Sequence, residues 1–199
     1  QSGSLYKYFE NKQNLLFDIV RDHMEDLLGK AEADLAGITD PMARLKAFAA
    51  FHLRYHMTRM AHVFIANMEI RSLENEHRAV VMGLRRRYEG LLEDILRQGA
   101  QDGVFHVGEP KVATYAIISM LTGICMWYRP GGRLSQDELV DIYTGLVVSG
   151  VSGPAGAAAP RLLPPDAVPL QPREAPPRKP RAAKAPAAAS APAGRSRRG

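Results

Sequence analysis

Apolar residues recur three and four positions apart along most of the chain, which is the spacing of amphipathic helices. The first run covers residues 12–36 and ends near Gly37. A second run starts after Asp40 and Pro41, an N-cap and a proline in the first helical position. The third run, residues 60–72, is apolar on several sides, so we predict a helix that is surrounded by other helices.

Three further helical runs follow. Residues 74–102 have the most regular apolar stripe, and Gly103 is predicted to end that helix. Residues 110–128 are apolar on nearly every side and therefore need to be covered on two faces. After an Arg-Pro-Gly-Gly turn, Ser135 and Glu138 form a capping box for a last helix. This succession of elements predicts an all-α fold.

The first eleven residues form a pattern of their own. Leu5, Tyr8 and Phe9 share one helical face, and Asn11 is a candidate N-cap for a new helix that starts at Lys12. This predicts a helix, a sharp turn and a long helix. The order Gly-Ser-Leu-Tyr-Lys-Tyr-Phe, followed by Asn and Lys, resembles the end of the recognition helix and the start of the fourth helix in TetR-type bacterial transcriptional regulators.

The resemblance implies a TetR-like helical ligand-binding and dimerisation domain at residues 12–152, preceded by the remnant of a helix-turn-helix at residues 1–11. A recognition helix of this kind lies in the major groove, where hydroxyl and ammonium groups reach bases or phosphates. The alternative is the end of an amphipathic helix with an exposed tyrosine. The residues implied to contact double-stranded DNA are Ser2, Ser4, Tyr6, Lys7 and Lys12.

Because the sequence starts at Gln1, within this motif, two interpretations of the whole chain stay open. It is either part of a ligand-responsive repressor that binds operator DNA, or a helical small-molecule-binding and dimerisation module without DNA-binding activity. The coding sequence upstream of Gln1 distinguishes them. A helix-turn-helix pattern there favours the repressor, and a start codon just upstream favours the module.

Composition separates the last quarter of the chain from the rest. The 199 residues carry a net charge of +5, which divides into −2 for residues 1–153 and +7 for residues 154–199. Eleven of the 14 prolines lie in this C-terminal part, with alanine between them. We therefore predict a disordered, basic, Pro/Ala-rich tail over residues 153–199, which either holds DNA loosely or acts only as a solubilising extension.

Several classes of protein and site are disfavoured. The single cysteine, Cys125, excludes an intramolecular disulfide, fits a cytoplasmic protein and lies in an apolar helix, which predicts a buried, inert thiol. Polar residues interrupt the most apolar stretch, residues 112–127, so we expect no membrane helix. No combination of nucleophile, base and orienting group suggests an enzyme, and no cofactor is expected.

One pair of histidines has the spacing of zinc ligands. His52 and His56 lie four positions apart, on one face of the predicted second helix. Arg54 lies between them in the sequence and adds an unfavourable positive charge. A packed or pocket-lining histidine pair is therefore favoured over a metal site.

The last two predicted helices have more apolar surface than a single core can cover, which predicts contact with an identical subunit. The family resemblance implies the same, because TetR-type regulators dimerise through their last two helices. The predicted homodimer interface consists of Ile118, Leu139, Ile142, Tyr143 and Leu146.

Aromatic and methionine side chains on several helices suit a cavity for an elongated apolar ligand, although each could instead be plain core. Residues 68–73, 87–88 and 127–135 also resemble the ligand domain of the acyl-CoA-responsive branch of the family, which includes regulators of fatty-acid and steroid-ring breakdown. This implies a CoA thioester whose acyl part enters the cavity and whose phosphates meet arginines. The cavity candidates are Phe51, Tyr55, Phe64, Met68, Tyr88, Met120, Ile124 and Trp127, and the phosphate candidates are Arg71, Arg129 and Arg133.

The mechanism that the resemblance implies is negative regulation. Without ligand, the dimer holds two recognition helices about one DNA turn apart, and ligand in the cavity moves the following helix and changes that spacing. The ligand must prefer the state that cannot bind DNA, because equal affinity for both states shifts nothing.

Overall fold

The structure, a computed structural model, describes the backbone of residues 2–153 and the side chains of residues 12–153. The predicted tail beyond residue 153 lies outside the described residues, and so do the side chains of Ser2, Ser4, Tyr6 and Lys7. The described part is all-helical. Its elements are α1 (Ser2–Leu35), α2 (Pro41–Thr58), α3 (Met60–Met68), α4 (Asn75–Gln101), α5 (Pro110–Thr122) and α6 (Gln136–Ser152), with short 3-10 helices at Ile70–Ser72 and Gly123–Met126.

The long helix α1 corrects the prediction at the N-terminus. It runs without a break from Ser2 to Leu35, so the expected sharp turn at Asn11 does not form in this chain. The residues that flank Asn11, namely Glu10, Lys12 and Gln13, favour a helix, and their propensity outweighs the cap signal of a single asparagine.

The predicted N-terminus of α2 is confirmed, because the Asp40 carboxylate accepts a hydrogen bond from the backbone N–H of Ala43 at 2.7 Å.

The prediction of a third helix over residues 60–72, surrounded by other helices, was wrong in two respects. The α-helix ends at Met68 and gives way to a 3-10 turn, and only one face of α3 is covered. Phe64 and Met68 are 58% and 61% exposed, respectively, so α3 is a surface helix with Val63 turned inward.

The predicted fourth helix is confirmed within one residue at each end, as α4. Gly103 follows it with φ +72°, a left-handed conformation that suits glycine. The chain then folds back so that the fully buried Phe105 ring lies directly on the backbone of Gly99, where a Cβ would collide with it. The hairpin after α4 therefore depends on a helical position without a side chain.

Helix α5 is shorter than predicted, since a 3-10 segment replaces its last turn from Gly123 to Met126. The capping box at the start of α6 is confirmed: the Glu138 backbone N–H donates to Ser135 Oγ at 3.2 Å, and the Ser135 backbone N–H donates to Glu138 Oε2 at 2.8 Å. Gly131, with φ +75°, lies in the turn between the two helices.

The core lies where α2 packs against α1, α4, α5 and α6. At its centre Phe48, Leu53, Leu92 and Leu121 have no exposed surface. Helix α1 also packs against α4 and α3. Among the described residues, none of the helices combines the length and hydropathy that crossing a membrane would require.

Candidate functional site

A small cavity opens between α1, α2, α3, α4 and α5. Its volume is about 40 Å³, enough for a few water molecules. Its lining is apolar on one side and rich in hydrogen-bonding groups on the other. The lining residues are His23, Met24, Leu27, His52, His56, Val63, Ala66, Asn67, Arg85, Tyr88, Glu89, Ile118 and Thr122.

The innermost polar group of the lining is His52, which is 1% exposed. Both ring nitrogens are hydrogen-bonded: Nδ1 lies 2.9 Å from the hydroxyl of Tyr88, and Nε2 lies 3.0 Å from Oγ1 of Thr122. Burial lowers the pKa of His52 well below its ordinary value, so the ring is neutral at physiological pH. The three side chains join α2, α4 and α5 at the base of the cavity.

His56 lies one turn further along α2, and its ring stacks on that of His52 with 3.8 Å between centroids. Nδ1 of His56 lies 2.8 Å from the backbone carbonyl oxygen of His52. Burial lowers the pKa of His56 to about 4, so this ring is neutral as well. The pair is thus packed and also lines the cavity, as was favoured over the metal site that its spacing suggests.

A third imidazole, His23, reaches the cavity from α1 and is 6% exposed. Burial lowers its pKa to about 4. The ring lies near Tyr55, whose hydroxyl donates to the Asp26 carboxylate at 2.9 Å. Through His23, Met24 and Leu27, the helix that continues toward the N-terminal segment forms one wall of the cavity.

Two lining side chains are charged, and both are less buried than the histidines, although the Arg85 charge also helps to lower the pKa of His56. Arg85 and Glu89 are half-buried on α4, and exposed Asn67 of α3 accepts a hydrogen bond from the Arg85 guanidinium. Partial burial raises the pKa of Glu89. The cavity therefore has a neutral interior and an ionic rim.

No group of three or more histidine, cysteine, aspartate or glutamate side chains within the described residues is arranged to hold a metal ion. Cys125 is half-buried rather than fully buried, and its thiol donates to the backbone carbonyl of His56 at 3.8 Å. Burial raises the pKa of that thiol, which keeps it protonated and unreactive.

The structure does not bring the predicted ligand residues together. Of the whole set, only Tyr88 lines the cavity, and Ile124 is fully buried in the core. The predicted phosphate-binding arginines are exposed, and so is Trp127 at 51%. The other predicted residues line other grooves or lie on the surface. These are Phe51 and Tyr55 in a groove between α1 and α2, Met120 in a groove between α5 and α6, and Phe64 and Met68 on exposed α3.

Sequence reasoning missed Thr122, Arg85 and His23 as lining residues. Periodicity identifies which residues turn inward, but it does not show which inward positions leave a gap. The histidine pair was the one usable signal, because two polar side chains on an otherwise apolar helical face need hydrogen-bond partners.

The outer faces of α5 and α6 carry exposed apolar side chains, namely Val112, Tyr115, Ile142 and Leu146, and Tyr143 between them is half-buried. Two residues of the predicted interface are located elsewhere. Leu139 is 3% exposed in the core, and Ile118 lines the cavity, because the α5 and α6 stripes divide between an inner and an outer face. Leu139 is therefore not available to a second subunit in this structure, whereas Ile118 is only partly buried.

Helix α1 is tied to the rest of the domain beyond the cavity as well. The amide of Gln13 donates to the backbone carbonyl of Ser72 at 2.9 Å, and Phe17 stacks on His77 at the start of α4. Lys12, the one predicted DNA contact with a described side chain, is exposed. The contacts of α1 therefore link the cavity to the segment that resembles a recognition helix.

The described residues thus form a helical domain in which a long N-terminal helix provides one wall of a small internal cavity. The family model described as the tetracyclin repressor-like C-terminal domain matches residues 39–151. The chain belongs to the TetR family of transcriptional regulators, which are not enzymes.

Individual relatives agree with this assignment. The HTH-type transcriptional repressor KstR2 of Mycolicibacterium smegmatis is 29% identical over 159 residues, which cover 78% of this chain and 77% of that protein. The TetR-family regulator PfmR of Thermus thermophilus is 30% identical, with a TM-score of 0.64, and the match covers 75% of this chain and 81% of PfmR. AibR in complex with isovaleryl coenzyme A and operator DNA is 26% identical, with a TM-score of 0.64, over 73% of this chain and 80% of AibR.

Proposed function

We propose that this protein is a repressor that binds operator DNA as a homodimer and releases it when an acyl-CoA thioester enters the cavity. The observation that carries this proposal is the cavity itself, because residues of α1 form one of its walls. Two relatives support it: KstR2 is a repressor, and AibR was crystallised with isovaleryl coenzyme A and operator DNA.

The acyl group occupies the cavity, and the charged nucleotide part stays outside. The neutral imidazoles of the interior cannot form ion pairs with phosphates, whereas the guanidinium of Arg85 on the rim can. Arg71, Arg129 and Arg133 are exposed and remain proposed phosphate contacts. Tyr88 remains the proposed contact deep in the cavity.

The present volume, about 40 Å³, is too small for an acyl chain. Binding therefore requires the helices around the cavity to move apart, and α1 is one of them. An effector that fits only the expanded state shifts the population toward that state, which is the linkage that release from DNA needs.

The homodimer forms through the outer faces of α5 and α6. Four large apolar side chains there are exposed, and such a patch marks an interaction surface. Ile142, Tyr143 and Leu146 remain interface residues, together with Val112 and Tyr115. In the dimer, Ser2, Ser4, Tyr6, Lys7 and Lys12 of each subunit contact the operator.

A mobility-shift assay tests this proposal, with the complete gene product and the DNA upstream of its own gene. We expect a retarded band that disappears when an acyl-CoA thioester is added and persists with free coenzyme A. Failure to bind any such DNA would favour the alternative, a ligand-binding and dimerisation module that does not bind DNA. Retardation that no thioester relieves would contradict the effector class.

A further inference from the structure

We propose that the part of the effector inside the cavity carries a hydrogen-bond donor, namely a hydroxyl group on the acyl chain, which donates to Nε2 of His56. This inference rests on the proposed function, since it specifies the chemistry of the same cavity. It predicts a hydroxyacyl-CoA as the preferred ligand, ahead of saturated and oxo thioesters.

The tautomer of His56 follows from its backbone contact. Nδ1 lies 2.8 Å from the carbonyl oxygen of His52, and a carbonyl oxygen can only accept a hydrogen bond. Nδ1 must therefore carry the proton. Because the ring is neutral, Nε2 has a free lone pair and can act only as an acceptor.

This acceptor has no partner of its own within residues 12–153. His52 has both ring nitrogens bonded, whereas the only hydrogen bond of the His56 ring is made by Nδ1. The side chain is 4% exposed and belongs to the cavity lining. Nε2 itself is not fully buried and contacts the cavity space, so an occupant that displaces water from the cavity has to supply the donor that this nitrogen needs.

Acyl groups differ in the hydrogen-bonding partner that they offer to Nε2 of His56. A saturated chain would displace water from the cavity and leave Nε2 of His56 without a donor, which is unfavourable for a buried group. A ketone or the thioester carbonyl offers only another acceptor. An ionised carboxylate likewise has only acceptor oxygens and cannot donate to Nε2 of His56. A hydroxyl group supplies the donor without adding charge.

Isothermal titration of the chain with matched thioesters tests the inference. The probes are saturated, 3-hydroxy and 3-oxo acyl-CoAs of the same length, in four- and eight-carbon series. We expect the hydroxyacyl-CoA to bind about tenfold more tightly than both analogues, as the loss of one hydrogen bond to a buried group implies. Equal affinities would overturn the donor inference and leave the effector class standing. Binding by none of the thioesters would contradict both.

A pair of variants locates the preference at His56. His56→Phe keeps a flat ring and removes the acceptor, so the preference for the hydroxyacyl-CoA should disappear, while the saturated thioester binds at least as well as before. His62→Phe is the matched control: His62 is an exposed residue of α3 that stacks on the lining residue His23 but does not itself line the cavity, so the substitution leaves the His56 acceptor in place. A preference that persists in folded His56→Phe would overturn the inference. The thioester series on the unmodified chain decides it even if that variant fails to fold.

Discussion

At the scale of single residues, neutral imidazoles and their partners give the cavity its chemistry. His52 bridges Tyr88 and Thr122, and its stacked neighbour His56 presents a lone pair. Each ring is neutral because burial disfavours the imidazolium form. The base of the cavity thus offers hydrogen-bonding groups rather than charge.

Removal of the Tyr88 hydroxyl tests the network. In Tyr88→Phe, one ring nitrogen of fully buried His52 loses its partner, so the free energy of unfolding should fall by about 1–3 kcal/mol. Urea denaturation measures the loss. Tyr115→Phe, at an exposed tyrosine of α5, should change stability very little. Equal effects of the two substitutions would show that the His52–Tyr88 contact contributes nothing.

Stability should also depend on pH through the buried histidines. The folded-state pKa values of His23 and His56 are about 4, below the ordinary value of 6.5. The unfolded chain therefore binds protons first as the pH falls, and stability that is full above pH 6.5 is lost toward pH 4. Each of these two histidines should lower the free energy of unfolding by about 2 kcal/mol between pH 7 and pH 5, at about 1.4 kcal/mol per pH unit.

Denaturation of the wild type and of His56→Phe at pH 7, 6 and 5 measures this dependence. The variant should lose about 2 kcal/mol less than the wild type over that range, because one titrating group is gone. Tyr115→Phe, an exposed position of α5 whose substitution leaves every histidine in place, should follow the wild type. Parallel curves for His56→Phe and the wild type would contradict a buried, neutral His56.

At the scale of elements, the sequence predicted best what depends on local signals. The Asp40 cap, the capping box of Ser135 and Glu138, and the length of α4 follow from side chains that act within one or two turns. The cap signal at Asn11 failed because neighbouring residues favour a continuous helix. The family resemblance rested on a short motif and is confirmed by the family match.

The cavity could not be predicted in the same way, because it depends on how five helices pack together. Ile118 and Leu139 illustrate the limit: their spacing placed them on the apolar stripes, but only packing decides which side of a stripe faces the core. The same limit explains why exposed Met68 and buried Ile124 were both predicted to touch the ligand.

Gly99→Ala tests the contact that closes the hairpin after α4. An added Cβ would overlap the Phe105 ring, so the loop must shift and the free energy of unfolding should fall by about 1–3 kcal/mol. Gly90→Ala in the same helix is the control, since open space surrounds that position and alanine favours the helix by about 1 kcal/mol. Thermal denaturation should move in opposite directions for the two variants. Stabilisation of both would refute the close packing of Phe105 on α4.

At the scale of the whole molecule, the cavity, the proposed dimer face and the segment proposed to bind DNA are connected through the helices. Helix α1 contributes to the cavity wall, packs on α4, and at its N-terminal end includes the segment that resembles a recognition helix. The outer faces of α5 and α6 leave large apolar side chains exposed in the single chain. A change in cavity volume can therefore alter the position of α1, and in the proposed dimer it would do so in both subunits.

The dimer face is tested by Ile142→Arg. Ile142 is 48% exposed, so the single subunit should tolerate arginine, whereas two copies in contact would bury the charges. Analytical ultracentrifugation should show monomers for this variant and dimers for the wild type. Ala33→Arg, at an exposed position of α1, adds the same charge away from the face and should remain dimeric. A dimer of unchanged strength in Ile142→Arg would move the interface elsewhere.

The control of the cavity by an acyl-CoA is tested most directly by thermal denaturation with a panel of CoA thioesters. At about 100-fold above the dissociation constant, a bound thioester should raise Tm by about 5–10 °C, and free coenzyme A should not. Ala66→Val narrows the cavity and should reduce the shift, while Ala61→Val, at an exposed position of the same helix, should preserve it. No stabilisation by any thioester at saturating concentration, or an undiminished shift in Ala66→Val, would contradict the account.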